Sequence, residues 1–296
     1  MPEGDVVWRT AQRLHAALAG RLVTTCDLRW PSLATVDLTG RPVVEVVSAG
    51  KHLLCRLGPA PDRPEPLTLH SHLRMDGSWY VHRTGEPFGA RSEHGIRAIL
   101  GTTAWTAVGH RLGMLDLVPT AREASLVGHL GPDLLGPGWD GAEAARRIGA
   151  DPARPIGEAL LDQRVLAGVG TFYLSEALFL HGITPWTPVE TLSGAGHRGN
   201  VDELVDLLHR LLRANRDRAV QITTGDGRPG RTNYVHGRSG RPCLRCTSTV
   251  RVAPIGRAPA DRVVFYCPSC QVGPAPTDGG HRQAPLGAIK RTRKKG

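Results

Sequence analysis

No stretch of this chain approaches the ~18–20 consecutive apolar residues that a membrane-spanning helix needs. The first twenty residues also lack the basic-then-apolar layout of a secretion signal. A cytosolic setting without a membrane partner is expected. Cysteine is sparse: of six, four fall into two C-x2-C pairs, leaving Cys26 and Cys55, which is not the framework of a secreted disulfide-stapled domain. Those two lie in strand-like apolar runs and read as core. No internal repeat is visible. Acidic residues nearly run out in the last quarter, where residues 223–272 set eight Arg against Asp226 and Asp261, and residues 273–296 set six Lys or Arg against Asp278.

Those two stretches carry +6 and +5 of the formal +10, so residues 1–222 sum to −1. A basic region confined to one part of the chain is the footprint of a contact surface for a polyanion such as DNA or RNA, with solvated arginine as the bland alternative. At 296 residues and 40% apolar content, the chain can bury a real core, in one large domain or two to three smaller ones.

Asp5 is a plausible N-cap, and Val7, Ala11, Leu14 and Leu18 follow at helical spacing until Gly20. One buried helix is implied. Runs rich in Val, Leu and Thr over 21–28, 43–57, 66–73, 77–82 and 94–108 then read as strands. Residues 1–130 are therefore expected to form a β-rich N-terminal domain. A Gly/Pro-rich connector over 128–141 leads into helical periodicity at 143–149, 155–163, 171–181 and 200–214, giving a helical domain over 131–222. Residues 223–272 form a Cys/Arg-rich module. Residues 273–296 read as a basic disordered tail, with too little apolar surface to offset its ordering entropy.

Four constellations carry chemistry. Cys243 and Cys246, then Cys267 and Cys270, form two knuckles that present four thiolates tetrahedrally, as a structural Zn²⁺ requires, with a hairpin of 249–253 and 262–266 between them. Four Cys ligands leave no open position for water, so the zinc is structural. Arg257 and Arg262 flank the hairpin tip, each a phosphate ligand or a solvated side chain. Gly168 and Gly170 make a turn before a helix starting at Thr171, an anion site or equally a packing turn. Lys51 follows Gly50 inside a strand-like run, where lysine ordinarily points to solvent. Arg74 and Met75 precede Gly77, so Met75 is either an apolar wedge on a loop or a core residue. His70 and His72 share a strand face but have no evident third metal ligand, and read as packed or hydrogen-bonding histidines.

In order, Pro2-Glu3-Gly4, Gly50-Lys51, the 72–77 stretch HLRMDG, the 167–170 turn AGVG and the terminal zinc ribbon resemble the formamidopyrimidine-DNA glycosylase / endonuclease VIII family, on the actinobacterial endonuclease VIII side. The match runs to about residue 271. The resemblance implies an α+β multidomain fold: an N-terminal β-sandwich with a buried N-terminal helix, a helix-two-turns-helix domain and a C-terminal zinc ribbon. It implies a bifunctional DNA glycosylase and abasic-site lyase that works on double-stranded DNA carrying damaged bases, as a monomer with one structural Zn²⁺. Removal of Met1 would make Pro2 the nucleophile. Glu3 would be the general acid/base, and Lys51 a positive charge beside Glu3 and a phosphate. Arg262 would clamp phosphates and Met75 would fill the void left by a flipped nucleotide, with Arg74, Arg111, Gly170 and Thr171 as further DNA contacts.

Departures from the family pattern are Arg111-Leu112 for an Arg-Phe pair, Thr171 for Asn, Asp261 for Gly, and Val6 for an acidic residue. The opening motif points to oxidised pyrimidines as substrates, whereas Leu73-Arg74-Met75 resembles the branch that prefers 8-oxoguanine and ring-opened purines. A damaged-DNA-binding protein without turnover and an RNA-binding zinc-ribbon protein are the rival readings; intact Pro2, Glu3 and Lys51 argue against the first, and the second would not need the Pro2-Glu3-Gly4 start.

Overall fold

The computed structural model describes residues 2–87, 93–193, 200–274 and 276, and divides the chain into two compact units, Met1–Trp139 and Asp140–Gly296. Most of the basic tail expected from 273 onward lies outside the described residues. No helix among them is long and apolar enough to cross a membrane.

The first unit is a β-sandwich with one long helix, α1 (Gly4–Leu18), and a single helical turn, α2 (Ala124–Val127). Helix α1 buries the stripe Val7, Ala11, Leu14 and Leu18 read from its spacing. Its N-cap is Glu3 rather than Asp5, which instead sits fully buried in the first turn. One sheet orders β2 (Val43–Ala49), β3 (His52–Leu57), β4 (Leu67–His72) and β8 (Met114–Pro119). The other orders β1 (Thr25–Leu28), β6 (Ile96–Gly101), β7 (Trp105–His110) and β5 (Ser78–Arg83). Alternation sends Leu53, Cys55, Leu69 and Leu115 into the shared core with α1. Burial pushes the Cys55 thiol up to about 12, as befits an inert core cysteine.

Two expectations change. The run 43–57 is not one strand: Ala49 pairs with His52, so Gly50 and Lys51 form a hairpin turn, with Gly50 at φ +56 in the left-handed region. Lys51 therefore sits on a turn, not within a strand. Strand β8 was not expected, because Gly113 and Pro119 bracket its short alternating run closely enough to read as loop.

The helix direction decides what the unit can do. The amide of Gly20 donates to the Val43 carbonyl (2.8 Å), and the amide of Val46 donates to His15 Nδ1 (3.2 Å). Moving back along α1 thus moves forward along β2, and the two run antiparallel. From His15 back to Glu3 the helix rises ~18 Å at ~1.5 Å per residue, and from Val46 to Gly50 the strand advances ~13 Å at ~3.3 Å per residue. Helix start and hairpin turn accordingly lie at the same end of the sandwich. The register places the β4–β5 and β7–β8 loops there too, since His52 pairs with His72 and His72 with Met114.

Those two loops pack against each other through glycines. The Gly113 amide donates to the His72 carbonyl (2.9 Å), and a Cβ on Gly113 would lie 2.4 Å from Arg74 Cγ and Cδ. Gly77 donates to the Leu73 carbonyl (2.9 Å), closing the loop over 73–77.

The second unit is built on α5 (Thr171–His181), nine of whose residues are buried. Helices α4 (Ile156–Leu161) and α6 (Val201–Asn215) pack against it, and α3 (Gly141–Gly149) packs against those two. Asp140 and Asn200 accept from the amides of Glu143 (3.0 Å) and Glu203 (2.9 Å), capping α3 and α6. Strands β9 (Arg251–Ile255) and β10 (Arg262–Tyr266) form the terminal hairpin. This ribbon is not self-contained. Phe179 of α5 shares a core with Val235, Val252 and Phe265, and the Phe265 amide donates to Ser175 Oγ (3.1 Å).

Gly113→Ala tests the loop packing. The added methyl must displace the Arg74 side chain, so we expect a loss of about 1–3 kcal/mol in urea unfolding, with chemical-shift changes concentrated at 72–77 and 111–114.

Candidate active site and nucleic-acid interface

In the first unit, Glu3 and Asp5 are fully buried and Pro2, just ahead of them, is half-buried. A chain end is ordinarily frayed; here it is held by the start of α1, where the Val7 amide donates to the Glu3 carbonyl (3.0 Å). Lys51 is half-buried on the hairpin turn. The turn is fixed from outside by Asp133, whose carboxylate accepts from the Gly50 amide (2.8 Å) and the Leu135 amide (3.1 Å). Burial raises the Asp133 carboxyl above its ordinary range while those two donors pull it back.

On the loops at this end, Met75 is 62% exposed, whereas Leu73 beside it is buried. Met75 is therefore the wedge-like alternative of the two readings, not core. Arg74 and Arg111 are both exposed and both adopt left-handed backbone, at φ 51 and φ 50. For a side chain other than glycine that conformation costs about 1–2 kcal/mol. It is compensated locally: the Arg74 amide donates to His72 Nδ1 (2.9 Å), and the Arg111 amide to the Gly95 carbonyl (2.6 Å). The outcome is an exposed thioether next to Arg74, on a loop that packs against the loop carrying Arg111.

A histidine cluster underlies the Lys51 turn. His52 Nδ1 lies 2.8 Å from His70 Nε2, and His70 Nδ1 lies 2.9 Å from the Asp116 carboxylate. The His52 ring stacks on His70 and meets His72 edge-on at 5.0 Å, with His129 at 6.2 Å. Burial, then the neighbouring histidines, then Lys51 hold His52 down to about 3. Burial followed by Lys51 holds His72 down to about 4. Both rings are thus neutral at physiological pH. The sequence showed His70 and His72 as a pair; His52, His129 and Asp116 join them only through strand register and the return of the 120–135 segment, for which no local signal exists.

In the second unit, Gly168 takes φ +101 and Gly170 is the extended N-cap of α5, with Thr171 as its first, nearly buried residue. Gln163 braces this turn, accepting from the Gly168 amide (3.0 Å) and donating to the carbonyls of Val169 (2.9 Å) and Leu161 (3.1 Å). Arg262 opens β10 and donates to the carbonyls of Ala260 (3.0 Å) and Asp261 (3.1 Å) across the tip. With Arg154 and Arg257 it lines a cleft of about 380 Å³ that also contains Glu158 and Asp162. The cleft is large enough for a phosphate group.

The four Cys Sγ atoms lie within 4.8 Å of one another, with Cys246 to Cys267 at 3.4 Å and Cys243 to Cys270 at 3.9 Å. A tetrahedron of thiolates at ~2.3 Å from zinc has edges of ~3.8 Å, so the donor set fits a four-coordinate metal. Among the described residues these cysteines are the cluster whose donor atoms converge as a metal requires. Glu176, which sequence reasoning did not single out, anchors the segment leading to them. This fully buried carboxylate of α5 accepts from the amides of Tyr234 (2.8 Å), Val235 (2.8 Å) and His236 (2.9 Å) and from the Thr223 hydroxyl.

Comparison with known proteins agrees with this layout. Residues 1–112 match the formamidopyrimidine-DNA glycosylase N-terminal domain, and residues 130–222 match the formamidopyrimidine-DNA glycosylase H2TH domain. The "Probable endonuclease 8 2" of Streptomyces coelicolor is 53% identical over 95% of this chain and 97% of its own length. The "DNA-(apurinic or apyrimidinic site) lyase Nei2" of Mycolicibacterium smegmatis is 43% identical over 92% and 99%. A formamidopyrimidine-DNA glycosylase of Cereibacter sphaeroides is 33% identical over 92% and 100%. Among solved structures, MutM in complex with DNA containing carbocyclic 8-oxo-G superposes with a TM-score of 0.73 at 21% identity, covering 92% of this chain and all of that one. The chain belongs to the formamidopyrimidine-DNA glycosylase / endonuclease VIII family.

Proposed function

We propose that the protein is a bifunctional DNA glycosylase and abasic-site lyase of base excision repair, excising oxidised bases, pyrimidines foremost, through a covalent intermediate at Pro2. The observation that carries this reading is the convergence, at one end of the sandwich, of the held chain start, the Lys51 turn and the two loops that carry Arg74, the exposed Met75 and Arg111. Removal of Met1 leaves the Pro2 ring nitrogen as the terminal amine. An α-amine titrates near ~8, against ~10.4 for lysine, so far more of it is neutral and nucleophilic at pH 7.

The amine attacks C1′ of the damaged nucleotide as the base departs. The resulting iminium acidifies C2′, whose proton is lost, and the electron pair expels the 3′ phosphate; a second elimination releases the 5′ phosphate. Glu3 shuttles protons for ring opening and base departure. Lys51 sets a positive charge beside Glu3 and a backbone phosphate. Chemistry at C1′ requires the nucleotide to leave the stack, and Met75 takes the vacated space, with Arg74 and Arg111 beside it. Arg262, and the α5 start at Gly170 and Thr171, hold phosphates of the duplex. A structural Zn²⁺ on Cys243, Cys246, Cys267 and Cys270 keeps the Arg262 hairpin in shape.

Relatives named endonuclease 8 at 43–53% identity, against formamidopyrimidine-DNA glycosylases at 33–34%, support the pyrimidine preference. Leu73-Arg74-Met75 favours the second reading, an enzyme preferring 8-oxoguanine and formamidopyrimidines. Borohydride trapping on duplexes carrying thymine glycol, dihydrouracil, 8-oxoguanine or an abasic site separates the two. We expect a covalent adduct with highest yield on the pyrimidine lesions; binding without an adduct would overturn the enzymatic reading. Pro2→Gly should keep DNA affinity within a few-fold while losing ~100-fold or more of excision, read by single-turnover cleavage. Chelation of the metal should expose the core shared with α5 and abolish lesion binding, with release of one zinc per chain measured in parallel.

A further inference from the structure

The contact that holds the Lys51 turn comes from far along the chain. In a two-residue hairpin the amide of the first turn residue has no place in the strand ladder, and here that residue is Gly50, since Ala49 pairs with His52. Gly50 is buried, and its amide donates to Asp133 Oδ2 (2.8 Å). The other carboxylate oxygen is committed locally. Asp133 Oδ1 accepts from the Leu135 amide (3.1 Å), and the Asp133 carbonyl accepts from the Gly136 amide (3.0 Å). Asp133 is thus tied to the turn that follows it, which fixes its side chain independently of the hairpin. Leu134, fully buried, pins the backbone of that turn. A Cβ on Gly136 would lie 3.0 Å from Asp133 Cβ, so glycine there leaves the aspartate side chain its place. The same segment meets the hairpin a second time, where the His129 ring stands edge-on to His52 at 6.2 Å. Lys51 therefore lies between two residues that are both contacted from 129–133.

We propose that Asp133 is a positioning residue that fixes the Lys51 turn, and through it the lysine, for the reaction. It does not touch substrate, and the proposal rests on the reading above for the role of Lys51. The local turn at 133–136 needs only one side-chain acceptor, which serine or asparagine supplies as well as aspartate. The second oxygen, aimed at Gly50, is the part that local structure does not require. Burying a carboxylate is costly unless its oxygens accept hydrogen bonds, and here each oxygen has one amide, one from its own turn and one from the hairpin. The ladder ends at the Ala49–His52 pair, and beyond it the Asp133 bond fixes the direction in which the corner leaves the sheet.

The test uses full-length, zinc-loaded protein and the lesion duplex that gives the highest adduct yield. Asp133→Ser keeps an acceptor for the Leu135 amide but is too short for Gly50, whereas Asp133→Asn can turn its single carbonyl oxygen to either amide. We expect D133S to bind the duplex with affinity close to wild type and to cleave it ~10-fold more slowly in single turnover, the scale of a misplaced catalytic group, with D133N between the two. Because Asp133 acts through Lys51, D133S placed in a Lys51→Ala enzyme should slow it by no more than about twofold. Exchange of the Gly50 amide with deuterium should be ~10-fold or more faster in D133S than in wild type or K51A, at an unchanged melting temperature. Should D133S melt lower than wild type, the same cycle run with D133N decides. Wild-type turnover in D133S, a full ~10-fold loss added in the K51A background, or a Gly50 amide equally protected in D133S would each overturn the proposal. Wild-type turnover in K51A alone would instead sink the role given to Lys51, and the exchange measurement would still decide whether Asp133 holds the turn.

Discussion

The antiparallel seating of α1 on β2 is the constraint from which the rest of the first unit follows. Terminal residues ordinarily trade order for entropy, yet this chain buries Glu3 and Asp5 within its first five residues. Apolar packing does not account for that, since the stripe that docks the helix begins only at Val7. Removing two carboxyl groups from water is costly, and it is tolerated where a fixed position of the chain start is itself required. The terminal amine proposed above as nucleophile would have that requirement, because effective molarity collapses when the reacting group wanders. The bonds from Gly20 to Val43 and from Val46 to His15 set the direction of the helix, and direction alone brings its first residues to the Lys51 end.

Much of this was legible because it is local. The stripe Val7, Ala11, Leu14 and Leu18 gave α1, and the apolar run from Thr171 to His181 gave α5 with its bounds. The two C-x2-C knuckles announced a metal-shaped cluster before any fold was known. From sequence Lys51 reads as interrupting a strand just after Gly50, although the left-handed backbone of Gly50 makes that pair the hairpin corner. Two strands joined by a two-residue turn look like one long apolar run when the turn residues are Gly and Lys, so the register that sets Lys51 at the end of the sheet was lost. The N-cap misreading has a similar origin: Asp is a strong capping type, but here burial selected Glu3 for that position and drew Asp5 into the first turn.

Other parts were illegible because they are made by pairing distant segments. His52 and His72 are twenty positions apart and become neighbours only through the β3–β4 register, and Asp116 joins them only because β8 lies on the far side of β4. Asp133 reaches the Gly50 amide across 83 positions. Nothing in the residue types near 116 or 133 marks them out, since an acidic side chain on a strand or loop is ordinarily solvated. Glu176 is the same case in the second unit. Its neighbours Leu174, Ala177 and Leu178 suggest an apolar helix, and its role appears only when the amides of 234–236 converge on it.

That convergence also changes how the terminal ribbon is understood. A short module with four cysteines is expected to depend on metal for its fold, and the cysteines are indeed set at metal-like spacing. The ribbon nevertheless draws Phe179 of α5 into its core, and Arg245 of the first knuckle lies 4.3 Å over that ring. Glu176 and Ser175, one turn away on the same helix, hold the incoming segment and strand β10 by backbone amides. Carboxylate, hydroxyl and apolar contacts thus issue from one helix that starts directly after the glycine turn at 168–170. The glycine turn and the Arg262 hairpin are consequently two ends of a single packed element within the second unit. A change in the ribbon core has a direct mechanical route to the helix start, which an independently folded finger on a linker would lack.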